Sequence, residues 1–241
     1  MTHFLQRCFT LAALGALAVA CAPLPPSAPP ASAVAQTPAS VPARAPAPVV
    51  KPPVAPAPSP AHAVPLLNID ASHSLIAVTV RRGGILARLG HDHVVASHTV
   101  SGTVSPSQNR ADFQFRVDQL TVDEASLRAI AGLEKQPSAD AIEGTRHNML
   151  TKVLEADRYP LVTIHAECAA LGQPLQAAIT LHGVTRRMAV PAELHEENGA
   201  ISAKGTIRLR QTDFGITPFS VMAGAMAVQD ELEIRFDLTA R

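Results

Sequence analysis

The chain has no Trp, one Tyr and only 3% aromatic residues, and its 20 basic residues are balanced by 20 acidic ones without a basic cluster. So few stacking rings and no block of Lys or Arg leave little to hold bases or neutralise phosphates, which argues against nucleic acid as a partner. No Gly-rich phosphate loop or dinucleotide fingerprint occurs, and Ser74 and Ser220 lack the context of an activated nucleophile, so no catalytic residue is assigned. Cysteine is scarce. Cys8 and Cys21 fall near the N-terminus, which leaves Cys168 as a single, semi-buried thiol in the rest of the chain and excludes a disulfide there. The most informative absence is local: no Asp or Glu precedes Asp70, and most of the 21 prolines lie before it.

That shift divides the chain into three parts. Residues 1–20 read as a signal peptide, with Arg7 as the positive n-region and Phe9 to Val19 as an apolar stretch too short for the roughly 20 residues of a membrane span. Ala18-Val19-Ala20-Cys21 resembles the lipobox of bacterial lipoproteins, whose Cys is acylated after cleavage; ordinary small-residue cleavage is the other reading. Acyl chains on Cys21 would tie the protein to a membrane, and Ala22 in place of Asp favours the outer membrane by the same resemblance. Residues 21–65 continue as a Pro/Ala-rich stalk, where Pro fixes φ and favours an extended spacer. Residues 66–241 form the folded domain. Removing Arg7, Arg44 and Lys51 leaves 17 basic against 20 acidic residues, a net charge of −3.

The domain reads as mainly β. Apolar and polar residues alternate over Ile76–Arg81, Phe113–Val117, Val162–Ala166, Ile179–Leu181, Ile207–Arg210 and, most cleanly, Val228–Thr239. Period two implies one buried and one wet face, hence antiparallel strands. Asn198-Gly199 predicts a hairpin turn and His182-Gly183 another. About eight such strands fit an up-and-down barrel. The expected inward set is Val78, Phe113, Phe115, Ile179, Ile207, Phe214, Ile234 and Phe236, with Ala77 and Ala203 as small positions for a blocking substitution. From Thr121 to Asp157 the spacing turns helical: a short helix carries Leu127, Ile130 and Ala131, and a longer one after the cap Ser138 carries Ile142 and Met149. The longer helix is expected to cover the barrel. Arg146 on its apolar stripe is either a rim arginine or a cation for an acidic head group.

Taken in order, Asn68–Ser74, Arg146–Leu150 with Val153-Leu154 and Tyr159-Pro160, Gly183-Val184-Thr185, Thr212–Ile216 and the closing Val228…Leu232 strand resemble the YceI-like family over essentially all of residues 66–241. The resemblance implies an extended antiparallel lipocalin-like β-barrel with one or two short inserted helices, whose interior holds an isoprenoid or similar lipid, in a secreted or periplasmic protein. Gly90-His91-Asp92-His93-Val94-Val95 departs from the family's commoner pattern, a plain strand with Phe and Gly.

His91 and His93 are the sharpest chemical feature. On a strand they share a face and could hold zinc or copper with a further ligand from His73, His98 or His147; the alternative is a polar mouth of hydrogen-bonded imidazoles. His165, His182 and His195 read as solvated side chains. Three functions remain open: an outer-membrane-anchored, periplasmic lipid-binding protein with no required cofactor beyond its apolar lipid ligand, a metal or redox-linked protein using His91 and His93, and an envelope-structural module without ligand. Oligomeric state is left undetermined.

Overall fold

The computed structural model describes residues 66–170 and 172–241. The expected signal peptide, Cys21 and stalk lie outside them. The described chain opens with β1 (Leu67–Asn68), a short 3-10 turn at Ala71–His73, β2 (Leu75–Val80) and the two-residue β3 (Arg82–Gly83). It continues through β4 (His93–Ser97), β5 (Ser101–Ser105), β6 (Arg110–Arg116) and β7 (Thr121–Val122). Next come α1 (Ala125–Ile130) and α2 (Ala139–Asn148), the latter running into a π-helical turn over Met149–Val153. The remainder is β8 (Leu161–Glu167), β9 (Leu175–Leu181), β10 (Val184–Val190), β11 (Glu193–Glu197), β12 (Ala200–Arg210), the short β13 (Ser220–Val221) and β14 (Met226–Val228), and β15 (Glu231–Ala240).

Every ladder is antiparallel. The strands form two six-stranded sheets, β1-β5-β6-β8-β9-β10 and β11-β12-β15-β2-β4-β7, and a small third sheet, β13-β14-β3. The pairs β1/β2, β4/β5 and β7/β6 each place one strand in each large sheet, so three neighbouring stretches of chain pass from one sheet into the other. A bridge between Ile69 and Ala240, with Asn68 and Arg241 exchanging backbone bonds of 2.9 Å, joins the sheets along this seam. Pairing thus runs from β11 round to β10. Among the described residues no ladder joins β10 to β11 or β12, although the Pro191 carbonyl presses on Gly205, where a side chain would also meet the Phe236 ring at 2.6 Å. Only glycine leaves room for that approach.

Both expected turns are present. Asn198 (φ 52°) and Gly199 (φ 78°) join β11 to β12, and His182 (φ 52°) and Gly183 (φ 74°) join β9 to β10. Two successive positive φ values match the right-handed strand twist of a hairpin. The closing run is shorter than its alternation suggests, for β15 starts at Glu231 while Val228 ends β14. Between them Asp230 turns its carboxylate to Thr212, accepting from its N–H at 2.9 Å and its hydroxyl at 2.6 Å.

The expectation of one wet face per strand fails for β2 and β4. Ala77, Val94 and Ala96 are buried on the outer side against Leu127 of α1 and Leu133, in an apolar cluster separate from the main core. The short helix therefore covers the back of a sheet. Only the longer helix, capped by Ser138 accepting from the Ala141 N–H, reaches the interior.

Candidate functional site

A cavity of about 660 Å³ lies between the two large sheets, within the range of small-molecule sites. Alternation in the strands supplies its walls, because inward side chains of both sheets face one another across the gap. Of the residues expected inside, Val78, Phe113, Phe115, Met149, Ile179, Ile207, Ile234 and Phe236 line it. Met149, Val153 and Leu154 close one side from the π-helical turn, which places a helical segment over the interior.

Two expected site residues are placed elsewhere. Phe214 sits in the 3-10 turn Gln211–Phe214, fully buried in the core and outside the cavity wall, because period two does not apply off a strand. Arg146 also lies away from the cavity and donates to the Asp118 carbonyl at 2.7 Å. The small positions divide as well. Ala203 lines the cavity, whereas Ala77 faces the outer cluster.

The cavity has polar groups at its two ends. Ser105, at the end of β5, is 3% exposed, and its hydroxyl has no hydrogen-bond partner. At the other end of the β4–β5 stretch stand Arg82, His91 and His93. Both ends are open: here Leu89 and Val221 line the cavity yet are 59% and 41% exposed, and at the Ser105 end the exposed Asn109, Arg110, His195 and Glu196 line it.

His93 is fixed from behind. Its Nδ1 lies 2.6 Å from Oδ2 of Asp123, whose side chain is wholly buried. Asp123 also accepts from the Val94 N–H at 3.0 Å and pairs with Arg128, itself 3% exposed. Burial alone would raise the Asp123 pKa, but the bonds from His93, Val94 and Arg128 together hold it below the ordinary carboxylate value. Arg128 donates further to the carbonyls of Asp92, at 2.7 Å, and Lys135, so it anchors the His-Asp-His segment to α1. Asp123 adopts φ 58°, a left-handed conformation that Asp tolerates better than most residues. Sequence reasoning missed Asp123 and Arg128, since their partners lie on other elements.

His91 stands beside His93, with ring centroids 6.2 Å apart. The proposed third metal ligands do not join them: His73 contacts Asp70, His98 contacts Glu124, and His147 lies on α2. Among the described residues no three His, Cys, Asp or Glu side chains are grouped to hold a metal ion.

Burial lowers the His91 pKa, and Lys135, His93, Arg128 and Arg82 act in the same direction. The folded protein then protonates at this ring less readily than the unfolded chain. Stability associated with His91 is full above the ordinary His value of about 6.5 and declines as the pH falls below it. His165 acts oppositely: hydrogen bonds from its ring to Asp112 and Glu167 raise its pKa, so its contribution is lost as the pH rises. Subtracting the melting behaviour of His91→Gln from that of the wild type isolates the first effect. The difference should be constant above about pH 7.5 and should turn against the wild type by about pH 5; a flat difference would show that this imidazole titrates normally.

The architecture is that of a mainly antiparallel β protein with an apolar cavity between its sheets. The YceI-like domain matches residues 67–240, and the chain belongs to that family. Among solved structures, a polyisoprenoid-binding domain from Saccharophagus degradans implicated in plant cell wall breakdown is 13% identical with a TM-score of 0.53, covering 73% of this chain and 97% of that one. BcnA of Burkholderia cenocepacia is 15% identical with a TM-score of 0.51, covering 72% of this chain and 99% of that one. At such identities the likeness is one of fold. No curated protein matches the sequence.

Proposed function

We propose that this protein binds a long apolar lipid, of the polyisoprenoid kind, in the cavity between its sheets, as a lipid-binding protein of the bacterial cell envelope. The observation that carries this reading is the cavity itself, lined mainly by apolar side chains and open to the surface, as where Leu89 and Val221 are both wall and surface. Burying an apolar chain there contributes about 0.8 kcal/mol per CH₂, so a long chain survives purification. The fold-level likeness to a domain described as polyisoprenoid-binding supports the ligand class. In this reading the strands act as an extended lipocalin-like barrel, with no ladder among the described residues closing β10 onto the β11–β12 hairpin.

Organic extraction of the protein purified from a bacterial host should release an isoprenoid or acyl species at near one per chain, measured by mass spectrometry. Protein that emerges empty from several hosts and takes up no fluorescent lipid would leave the ligand-free structural module as the better account.

The same proposal includes an anchor. With Cys21 acylated, the stalk would hold the domain on the periplasmic side of the outer membrane. Cys21→Ser should move the protein from the membrane fraction to the soluble periplasm with its melting temperature unchanged. Unaltered fractionation would remove the lipoprotein part of the reading.

A further inference from the structure

The imidazole of His93 is held in one orientation at one mouth of a mainly apolar cavity, where Asp123 accounts for its Nδ1 and no residue among those described accounts for its Nε2. Asp123 is a buried carboxylate that already accepts from Arg128 and the Val94 N–H. A carboxylate only accepts, so the 2.6 Å contact requires the proton to sit on His93 Nδ1. In the neutral ring, Nε2 is then a bare lone pair. It has no protein partner among the described residues, and the ring forms part of the cavity wall with its side chain 14% exposed. The orientation does not depend on the ligand, because Arg128 ties Asp123 to the carbonyls of Asp92 and Lys135.

We propose that His93 Nε2 is the polar terminus of the ligand site and selects an apolar chain ending in a hydroxyl, a prenyl alcohol or a prenylated phenol, over the same chain ending in a group that cannot donate. This inference rests on the lipid-binding reading of the cavity. A donor hydroxyl meets the lone pair and completes its hydrogen bonding. An ether oxygen at the same point sets lone pair against lone pair and displaces the water that would otherwise serve Nε2. A site built to pair with a hydroxyl discriminates against an analogue lacking it, because the site's own polar atom is left unpaired. An anionic head would meet arginines that are already engaged. Arg81 and Arg82 both face Asp92, at 3.5 and 3.7 Å, Arg82 also donates to the Gly90 carbonyl at 2.8 Å, and Arg128 is taken by Asp123. Lys135 and Arg88 have no carboxylate partner among the described residues.

The test compares geranylgeraniol with its methyl ether, each partitioned from detergent micelles onto the full-length protein, for wild type, His93→Asn and Ser105→Ala. His93→Asn can keep an N–H for Asp123 while removing the atom at the Nε2 position, and its fold is checked by circular dichroism and melting. The readout is the ratio of the two affinities, which a merely structural role of His93 would not move. Wild type should hold the alcohol about three- to tenfold more tightly than the ether, the worth of one hydrogen bond. The ratio should fall to near one in His93→Asn and persist in Ser105→Ala.

Equal binding of both ligands by wild type overturns the His93 assignment and leaves the cavity reading intact, whereas binding of neither overturns both. A ratio lost in Ser105→Ala and kept in His93→Asn would put the head group at the opposite end. Tighter, salt-sensitive binding of geranylgeranyl phosphate than of the alcohol would assign the mouth to an anion instead. Should His93→Asn fail to fold, the nitrogen chemical shift of His93 Nε2 in the wild type replaces it: the alcohol should move that shift and the ether should not, and equal shifts overturn the assignment.

Discussion

Asp123→Ala should destabilise the domain by about 3–5 kcal/mol, the usual consequence of removing one partner from a buried ion pair. In thermal melts this is a fall on the order of 10 °C for a domain of this size. The magnitude follows from position: the Asp123 side chain is wholly buried and that of Arg128 is 3% exposed, so deleting the carboxylate leaves a guanidinium charge that water does not reach. The Nε of Arg128 already lacks a partner, which leaves no spare interaction to offset the loss. Lys204→Ala is the control, because its pair with Asp237 at 2.9 Å has side chains 54% and 46% exposed, and such pairs contribute about 0–1 kcal/mol. Combining Asp123→Ala with Arg128→Met should recover much of the loss, since the unpaired charge goes with it. If Asp123→Ala melts within about 1 kcal/mol of the wild type, the His93–Asp123–Arg128 assembly is not the rigid support that the head-group inference requires.

What was legible in the sequence was whatever short-range periodicity encodes. The β11–β12 hairpin follows from Asn198-Gly199, and the inward faces of β6, β9, β12 and β15 follow from alternation, so six of the residues expected inside meet in the cavity wall from these strands. The illegible parts depend on what covers a face. Period two predicts a wet side only when nothing packs there, and α1 packs on β2 and β4, so the outer face that carries Ala77 is buried while Val78 fills the inner one. Phe214 follows a strand into a 3-10 turn, where its direction is set by the turn and not by the pleat. Arg146 lies at the expected helical position, but its partner is a backbone carbonyl 28 residues away. The support of His93 is equally remote: Asp123 is 30 residues on, between a two-residue strand and a six-residue helix, and no local pattern marks it. The resemblance to the YceI-like family identified the fold more securely than any of these patterns, because it used the order of five motifs along residues 66–241.

The outward placement of Ala77 gives the cavity its most discriminating test. Ala203 lies on β12 opposite Leu238 and lines the cavity, while Ala77 lies on β2 opposite Arg235 and faces the outer cluster. Placing Trp at each position introduces the same ring, of roughly 200 Å² when buried, into two different compartments. In Ala203→Trp the ring occupies space the ligand would fill, so extracted lipid should fall from near one per chain to a minor fraction while the protein remains folded. In Ala77→Trp the ring has no cavity to enter. It must displace Val94, Ala96, Leu127 and Leu133, overpacking that costs about 1–3 kcal/mol, and the fraction that stays folded should carry its lipid in full. Each variant is scored by melting temperature and by lipid per folded chain, so loss of ligand is separated from loss of fold. Equal lipid loss in both would mean that occupancy tracks stability rather than cavity space, and full occupancy in Ala203→Trp would move the ligand out of the space between the sheets.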